Sequence, residues 1–404
     1  MIQNLTFNPA SPTVMHLDLN SCFASIEQQV NPLLRGKPIA VAAYVSPGGC
    51  ILAASIEAKT YGVKTGLRVK EGKLLCPHLI ILPSDPDKYR QVHLKFRQLL
   101  SDYTDEVVPK SIDEFVLDLS DFVNSGISLE AVAKQIKQRI KNEIGDWLTI
   151  SVGLGPNRFL AKTAAGLHKP DGLDVIDQSN YQSVYQKLTL VDLHGINVRN
   201  AARLNRVGVR SVEQFAVAPV QTLHSAFGSA AGHYWYLRLR GWEIDAIEFG
   251  RKSFSNSYAL PKPLITETEL TPILAKLVEK TAYRLRRGGY TTSGVHLAIV
   301  YRDGTYWHQG LTIPEIFASN DVYRYVRQLL QNCRGAKPVR NLAVSCFNLK
   351  KQGDTQLVLF ENILKKKKLA RAVDKIKRRY GQYVIASALM LPAKDNVPDR
   401  IAFE

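Results

Sequence analysis

A chain of 404 residues is too long for one small core, and two to four domains are expected. Its hydrophobic content of 45% and charged content of 22% are those of an ordinary globular protein, but a net charge of +17 is not, and it points to a polyanionic partner, most often nucleic acid. Five scattered cysteines (Cys22, Cys50, Cys76, Cys333, Cys346) without CxxC spacing argue against a disulfide framework or zinc site. No signal peptide is legible, and no apolar run reaches the ~18–20 residues of a membrane span, so a cytoplasmic protein with no membrane partner is expected.

In chain order, residues 1–180 alternate strands and helices. Strands are expected at 13–19, 38–43, 79–82, 115–119 and 148–153. Helices are expected at 21–29, 89–103 and 129–143, from the spacing of their apolar residues. Ser46-Pro47-Gly48-Gly49 reads as a turn. From about Leu188 short helices alternate with glycine turns, notably Leu193-His194-Gly195-Ile196-Asn197 and Gly208-Val209-Arg210. The basic run from Phe249 to Phe254 reads as a linker entering a strand. Beyond it an α+β module runs to about Lys350, with strands at 294–301, 305–312 and 340–349, a helix at 274–287 and a hairpin turn at Arg302-Asp303-Gly304. The remaining residues comprise a polar break, a short apolar pentapeptide and a basic helix. In that helix Leu364, Leu369, Val373, Ile376 and Tyr380 fall opposite Lys365–Lys368, Arg371, Lys375, Lys377, Arg378 and Arg379.

Two stretches carry the chemistry. Met15-His16-Leu17-Asp18-Leu19-Asn20 places a carboxylate at the end of an apolar run, and Ser111-Ile112-Asp113-Glu114-Phe115 sets two between apolar groups. Acids in such runs are costly unless paired, hydrogen-bonded or metal-bound. Brought together by the fold, Asp18, Asp113 and Glu114 would form a hard-oxygen cage suited to Mg²⁺, with the Leu19 carbonyl as a neutral ligand. Two such ions ~3.5–4 Å apart can activate an attacking oxygen and stabilise a leaving one in phosphoryl transfer. Other mechanisms fit poorly. There is no GxxxxGK[ST], HExxH or GxSxG, and Gly153-Leu154-Gly155 lacks the third glycine of a dinucleotide fingerprint.

The run from His16 to Glu27 resembles the opening of the Y-family translesion DNA polymerases, and Ser111-Ile112-Asp113-Glu114 resembles that family's second signature. Gly36-Lys37-Pro38, Glu57-Ala58-Lys59, Tyr61-Gly62-Val63-Lys64, the run Gly155-Pro156-Asn157-Arg158-Phe159-Leu160-Ala161-Lys162 and Lys169-Pro170-Asp171-Gly172 follow in family order. Together they span roughly residues 13–350. The resemblance implies an α+β right-hand polymerase. Its palm would take residues 1–24 and 88–178, fingers 25–87 and thumb 179–248. A linker at 249–255 would lead to an additional α+β little finger at 256–350 and a C-terminal tail at 351–404. The ending from Val397 to Phe403 resembles the tails of UmuC-like bacterial members.

The same resemblance implies low-fidelity, template-directed addition of dNTPs to a primer 3′-OH on primer–template DNA with two Mg²⁺ ions, in DNA repair and the SOS response to DNA damage. Asp18, Asp113 and Glu114 would be catalytic metal ligands, and Phe23 an aromatic steric gate against a 2′-OH. Lys162 would neutralise the triphosphate. In the fingers, Ile56 and Lys59 stand where relatives carry Tyr and Arg, and Ala53 where they often carry Thr; with Ser21 these are the further nucleotide-binding positions. The thumb resembles a helix-hairpin-helix in which Gly195 and Asn197 flank a phosphate-binding turn, Asn197 replacing a glycine through its tolerance of left-handed backbone. Arg251, Lys252 and Arg302 are expected on the DNA backbone. Gln356-Leu357-Val358-Leu359-Phe360 looks like a bacterial sliding-clamp-binding peptide, with Gln356, Leu357, Leu359 and Phe360 as its anchors. A regulatory subunit is a further partner the sequence leaves open. Two rival readings are a nucleotidyl cyclase, which has no need of a hairpin thumb or of this charge, and a catalytically inactive, clamp-docked DNA-repair scaffold, which has no need of three metal ligands.

Overall fold

The computed structural model describes residues 5–246, 250–333, 337–351, 363–381, 383–393 and 397. The chain divides into two compact units, with Phe249 opening the second.

In the first unit, eight strands appear in chain order: β1 (Val14–Leu19), β2 (Ile39–Ala42), β3 (Ile51–Ala54), β4 (Ile80–Pro83), β5 (Val107–Pro109), β6 (Glu114–Asp118), β7 (Ile150–Gly155) and β8 (Leu173–Val175). They make a five-stranded sheet of order β5-β6-β1-β7-β8 and a three-stranded sheet of order β3-β2-β4. The strong apolar runs expected to be strands are strands, shifted by a residue or two at their ends. β1 lies at the centre of the larger sheet, antiparallel to both β6 and β7. Alternation then separates its residues. Met15, Leu17 and Leu19 enter the main core with Phe115, Leu117 and Val152, under the helices Pro86–Leu100 and Leu129–Arg139.

His16 and Asp18 lie on the opposite face, towards which the helix Arg158–Leu167 packs, with Val14, Val116 and Ala161 as a small apolar cluster. Gly153 explains how close that helix comes. A Cβ there would lie 2.0 Å from the Ala161 carbonyl oxygen and 2.2 Å from the Ala165 nitrogen. The glycines that fail as a dinucleotide fingerprint are therefore packing glycines. A separate cluster gathers Phe159, Leu193, Ile196, Leu204, Phe215 and Trp235 into the helical module that follows.

The second unit is a four-stranded antiparallel sheet of order β11-β10-β12-β9, built from β9 (Ser253–Leu264), β10 (Tyr290–Tyr301), β11 (Tyr306–Ile316) and β12 (Val339–Lys351). Helices Glu267–Arg287 and Ser319–Asn332 cover one face. The Tyr301–Gly304 turn is present, with Gly304 at φ +82°. β9 begins within the stretch expected to be linker. The long helix starts at Glu267, seven residues ahead of the apolar run that announced it, because Thr266 and Glu269 form a capping box.

The basic helix is present at Ile363–Tyr380, but it does not bury its apolar residues. Leu364, Leu369, Ile376 and Tyr380 are exposed, and Asp374 and Lys377 are buried. Buried charges hold it to the long helix: Asp374 accepts two 2.8 Å bonds from Arg286, and Lys377 lies 2.5 Å from Glu279.

Candidate active site

Asp18 and Glu114 face each other as register partners of β1 and β6. Like charges opposed across a ladder repel, and each carboxylate carries a lysine. Lys169 bonds Asp18, and Lys162 lies 2.5 Å from Glu114. Burial raises the Asp18 carboxyl, against the pull of Lys169. Burial also pushes Glu114 up, but the Lys162 bond and charge leave it below the usual carboxylate range.

Asp113 precedes β6. Its carbonyl accepts from the Leu19 amide at 2.9 Å, tying the two motifs together, while its side chain bonds Ser111. Ligand atoms of His16, Asp18 and Glu114 lie within 4.8 Å of one another. Two half-buried carboxylates held close to each other by cations are a donor set that fits hard divalent ions.

A cavity of about 560 Å³ opens beside Asp18. It is lined by Ser21, Phe23, Ala53, Ala54, Ile56, Lys59, Asp113 and Lys169 among others. Phe23 stacks on Tyr89 with centroids 4.2 Å apart. Tyr89 in turn donates to Glu27 at 2.9 Å, and Glu27 is paired with Lys88 at 2.7 Å, so the ring is locked from behind. Ser21 adopts φ +51° and turns the chain from β1 into the helix Cys22–Val30. Ser55 caps the short helix Ile56–Thr60, accepting from the Ala58 amide at 3.2 Å. Partial burial and the charge of Lys169 lower the Lys59 ammonium, against Asp18.

Lys169 joins the expected Lys59 in this cavity, and Lys162 does not line it. Asn20 places Lys169: its Oδ1 accepts from the Asp171 amide at 2.8 Å, and its Nδ2 donates to Ser151 at 2.9 Å. Lys162 instead lines a second cavity of about 430 Å³ with His16, Lys110, Glu114, Arg158, His194 and Gly195. His16, unmarked in the sequence beyond its place in the first motif, is 2% exposed, with neither ring nitrogen hydrogen-bonded and Nε2 3.9 Å from Glu114. Burial holds its pKa down to about 3, with Glu114 opposing and Lys162 and Lys169 assisting.

In the helical module Gly195 has φ +88° beside the Trp235 ring, as a tight turn requires. Asn197 is not left-handed. At φ −91° its side chain caps the helix Val198–Arg206, accepting from the Asn200 amide at 2.9 Å, so its value there is capping. In the second unit Arg251, Lys252 and Arg302 are exposed, with Arg251 4.6 Å over the Phe254 ring. Gln356, Leu357, Leu359 and Phe360, and most of the run from Val397 to Phe403, lie outside the described residues.

The impB/mucB/samB family model matches residues 17–166, and the model of that family's C-terminal domain matches residues 251–359. A DNA polymerase IV of Moorella thermoacetica is 34% identical over 94% of this chain and 96% of its own length. A DNA polymerase IV 1 of Bacillus subtilis is 31% identical over 96% of this chain and 95% of its own length. A solved Y-family DNA polymerase chimera superposes with a TM-score of 0.74 at 25% identity, over 84% of this chain and 99% of its own. With the opposed carboxylates of β1 and β6 and the α+β fold, these similarities establish that the chain belongs to the Y-family of DNA polymerases, the impB/mucB/samB family.

Proposed function

We propose that this translesion polymerase extends a primer 3′-OH on template DNA at Asp18, Asp113 and Glu114, using two Mg²⁺ ions. The observation that carries the reading is the opposition of Asp18 and Glu114 across β1 and β6, with Asp18 and Asp113 lining a cavity that also holds Lys59 and Lys169. Asp18, Asp113, Glu114 and the Leu19 carbonyl would hold the ions, which when bound supply charge neutralisation at the α-phosphate and a more acidic primer hydroxyl. Lys59 and Lys169 supply positive charge for the triphosphate, and Ser21, Ala53 and Ile56 shape the space around the nucleotide. The Tyr89-backed Phe23 ring excludes a 2′-OH by clash. Gly195 and the capped helix after Asn197 contact a backbone phosphate, and Arg251, Lys252 and Arg302 contact others.

In this reading the larger sheet is the palm (1–24 and 88–178), the small sheet the fingers (25–87), the helical module the thumb (179–248) and the second unit the little finger. The similar curated proteins carry the name DNA polymerase IV; a UmuC-like branch is supported only by the C-terminal run from Val397. No helix among the described residues is long and apolar enough to cross a membrane, in keeping with work on cytoplasmic DNA. The pentapeptide from Gln356 to Phe360 docks a sliding clamp. Leu359→Ala with Phe360→Ala should abolish clamp stimulation while unassisted extension persists, and stimulation that survives would remove the clamp from the reading.

The deciding experiment is primer extension with Mg²⁺ on plain and abasic templates. Asp113→Ala should lose at least a thousandfold in rate while still binding primer–template; an active variant would overturn the metal role. In the same assay Phe23→Ala should incorporate ribonucleotides, and unchanged sugar discrimination would exclude the gate.

A further inference from the structure

The helix Ile363–Tyr380 presents three faces. One is the charged face that docks on the helix Glu267–Arg287, and a second exposes apolar residues. The third is a stripe of cations, Lys367, Arg371, Lys375, Arg378 and Arg379, at the i, i+4, i+8, i+11, i+12 spacing that aligns side chains along one helix face. With Tyr283, Arg286, Arg287 and Phe317 these residues line a groove of about 690 Å³.

The acids within reach of this groove are already committed. Asp374 takes both its bonds from Arg286, and Glu279 pairs with Lys377 and Arg286. Among the described residues Arg371, Lys375, Arg378 and Arg379 have no carboxylate at ion-pair distance. Like charges at i, i+4 destabilise a helix, so the stripe carries a repulsion that an anionic ligand would relieve. The stripe from Lys367 to Arg379 is about 18 Å long at ~1.5 Å per residue, room for roughly five phosphates at ~3.4 Å per nucleotide of a helical strand. Tyr283, half-buried in the groove wall, offers a ring on which a base can stack.

We propose that this groove is a second nucleic-acid site, which takes the phosphodiester backbone of single-stranded DNA on the helical layer of the second unit. It goes beyond the catalytic reading and uses none of its residues.

The test is fluorescence anisotropy of a labelled oligothymidylate with the full chain and with the variant Arg371→Gln, Lys375→Gln, Arg378→Gln, Arg379→Gln. None of the four makes the buried pairs that dock the helix, and an unchanged circular-dichroism melt verifies the variant's fold. Affinity should fall at least tenfold, and the slope of log affinity against log salt should flatten by about 3, at ~0.7 for each phosphate that is no longer neutralised. Unchanged affinity and slope in the folded variant would overturn the proposal. A blunt duplex of equal length should lose less than threefold; an equal loss would overturn the single-strand assignment. Tripolyphosphate at matched charge concentration should compete poorly, and full displacement of the oligonucleotide at that concentration would reassign the groove to free polyphosphate.

Discussion

Two carboxylates directly opposed in one ladder are tolerable because each meets its own ammonium: Lys162 from the helix Arg158–Leu167 and Lys169 from the turn after it. The family resemblance of the run from Gly155 to Lys162 drew attention to Lys162. What puts Lys169 in the cavity beside Asp18 is the Asn20–Asp171 bond, a contact between residues 151 positions apart that no local pattern displays. His16 escaped notice for a related reason: strand alternation puts it on the Asp18 face, but its burial follows from the helix laid over it. That burial has a consequence for acid stability. An unfolded chain protonates this imidazole below 6.5, and the folded one resists until about 3. The unfolded state therefore binds the extra proton between those values. The contribution is fully present above 6.5 and is lost as pH falls through the window. Roughly 2 kcal/mol should be gone at about pH 5. Denaturant titrations at neutral pH and at pH 5 should show that loss in the wild type and not in His16→Leu. An equal loss in both would assign the acid limb to other groups.

At the scale of elements, the strands that hold the site were legible because they are apolar runs bounded by acids and turns, and buried strands of a central sheet have that form. β9 was less so. Its alternation of Phe254, Tyr258 and Leu260 with exposed serines is a strand signal, but the basic run before it suggested a linker. The helix Ile363–Tyr380 was legible as a helix and not in its packing. Amphipathic spacing implies an apolar face turned inward, whereas this helix docks through Arg286, Asp374, Glu279 and Lys377. Breaking one partner of a buried pair leaves an uncompensated charge and costs about 3 kcal/mol or more. Lys377→Met should therefore release the helix locally, raising amide exchange over Ile363–Tyr380 about a hundredfold. Adding Glu279→Leu should restore most of the protection, since removing both charges also removes the desolvation cost. Exchange unaffected by Lys377→Met would mean that the Lys377–Glu279 pair does not secure the helix.

For the whole molecule, the charge of +17 is very unevenly placed. Residues 249–398 hold 26 Lys and Arg against 10 Asp and Glu, so nearly all of the excess lies in the second unit and the unit with the carboxylates is close to neutral. The total pointed to nucleic acid from the outset; the division shows which part of the chain carries the excess. On the proposed reading, a catalytic unit that admits an anionic nucleotide beside three acids gains little from a large uniform field, whereas a DNA-gripping unit gains affinity with each phosphate it neutralises. Affinity for primer–template should accordingly fall about a thousandfold between ~0.05 and ~0.2 M salt, as for a protein making at least six phosphate contacts. Arg251→Gln, Lys252→Gln and Arg302→Gln together should flatten the salt slope by up to about 3, at ~0.9 per duplex phosphate. The same substitutions should leave the KM for dNTP unchanged, because these residues belong to the second unit and the cavity proposed to take the nucleotide is lined wholly by the first. Salt titrations of binding alongside steady-state extension separate the two effects. A flat salt response, or a change in KM without a change in slope, would show that the division of charge does not correspond to a division of labour.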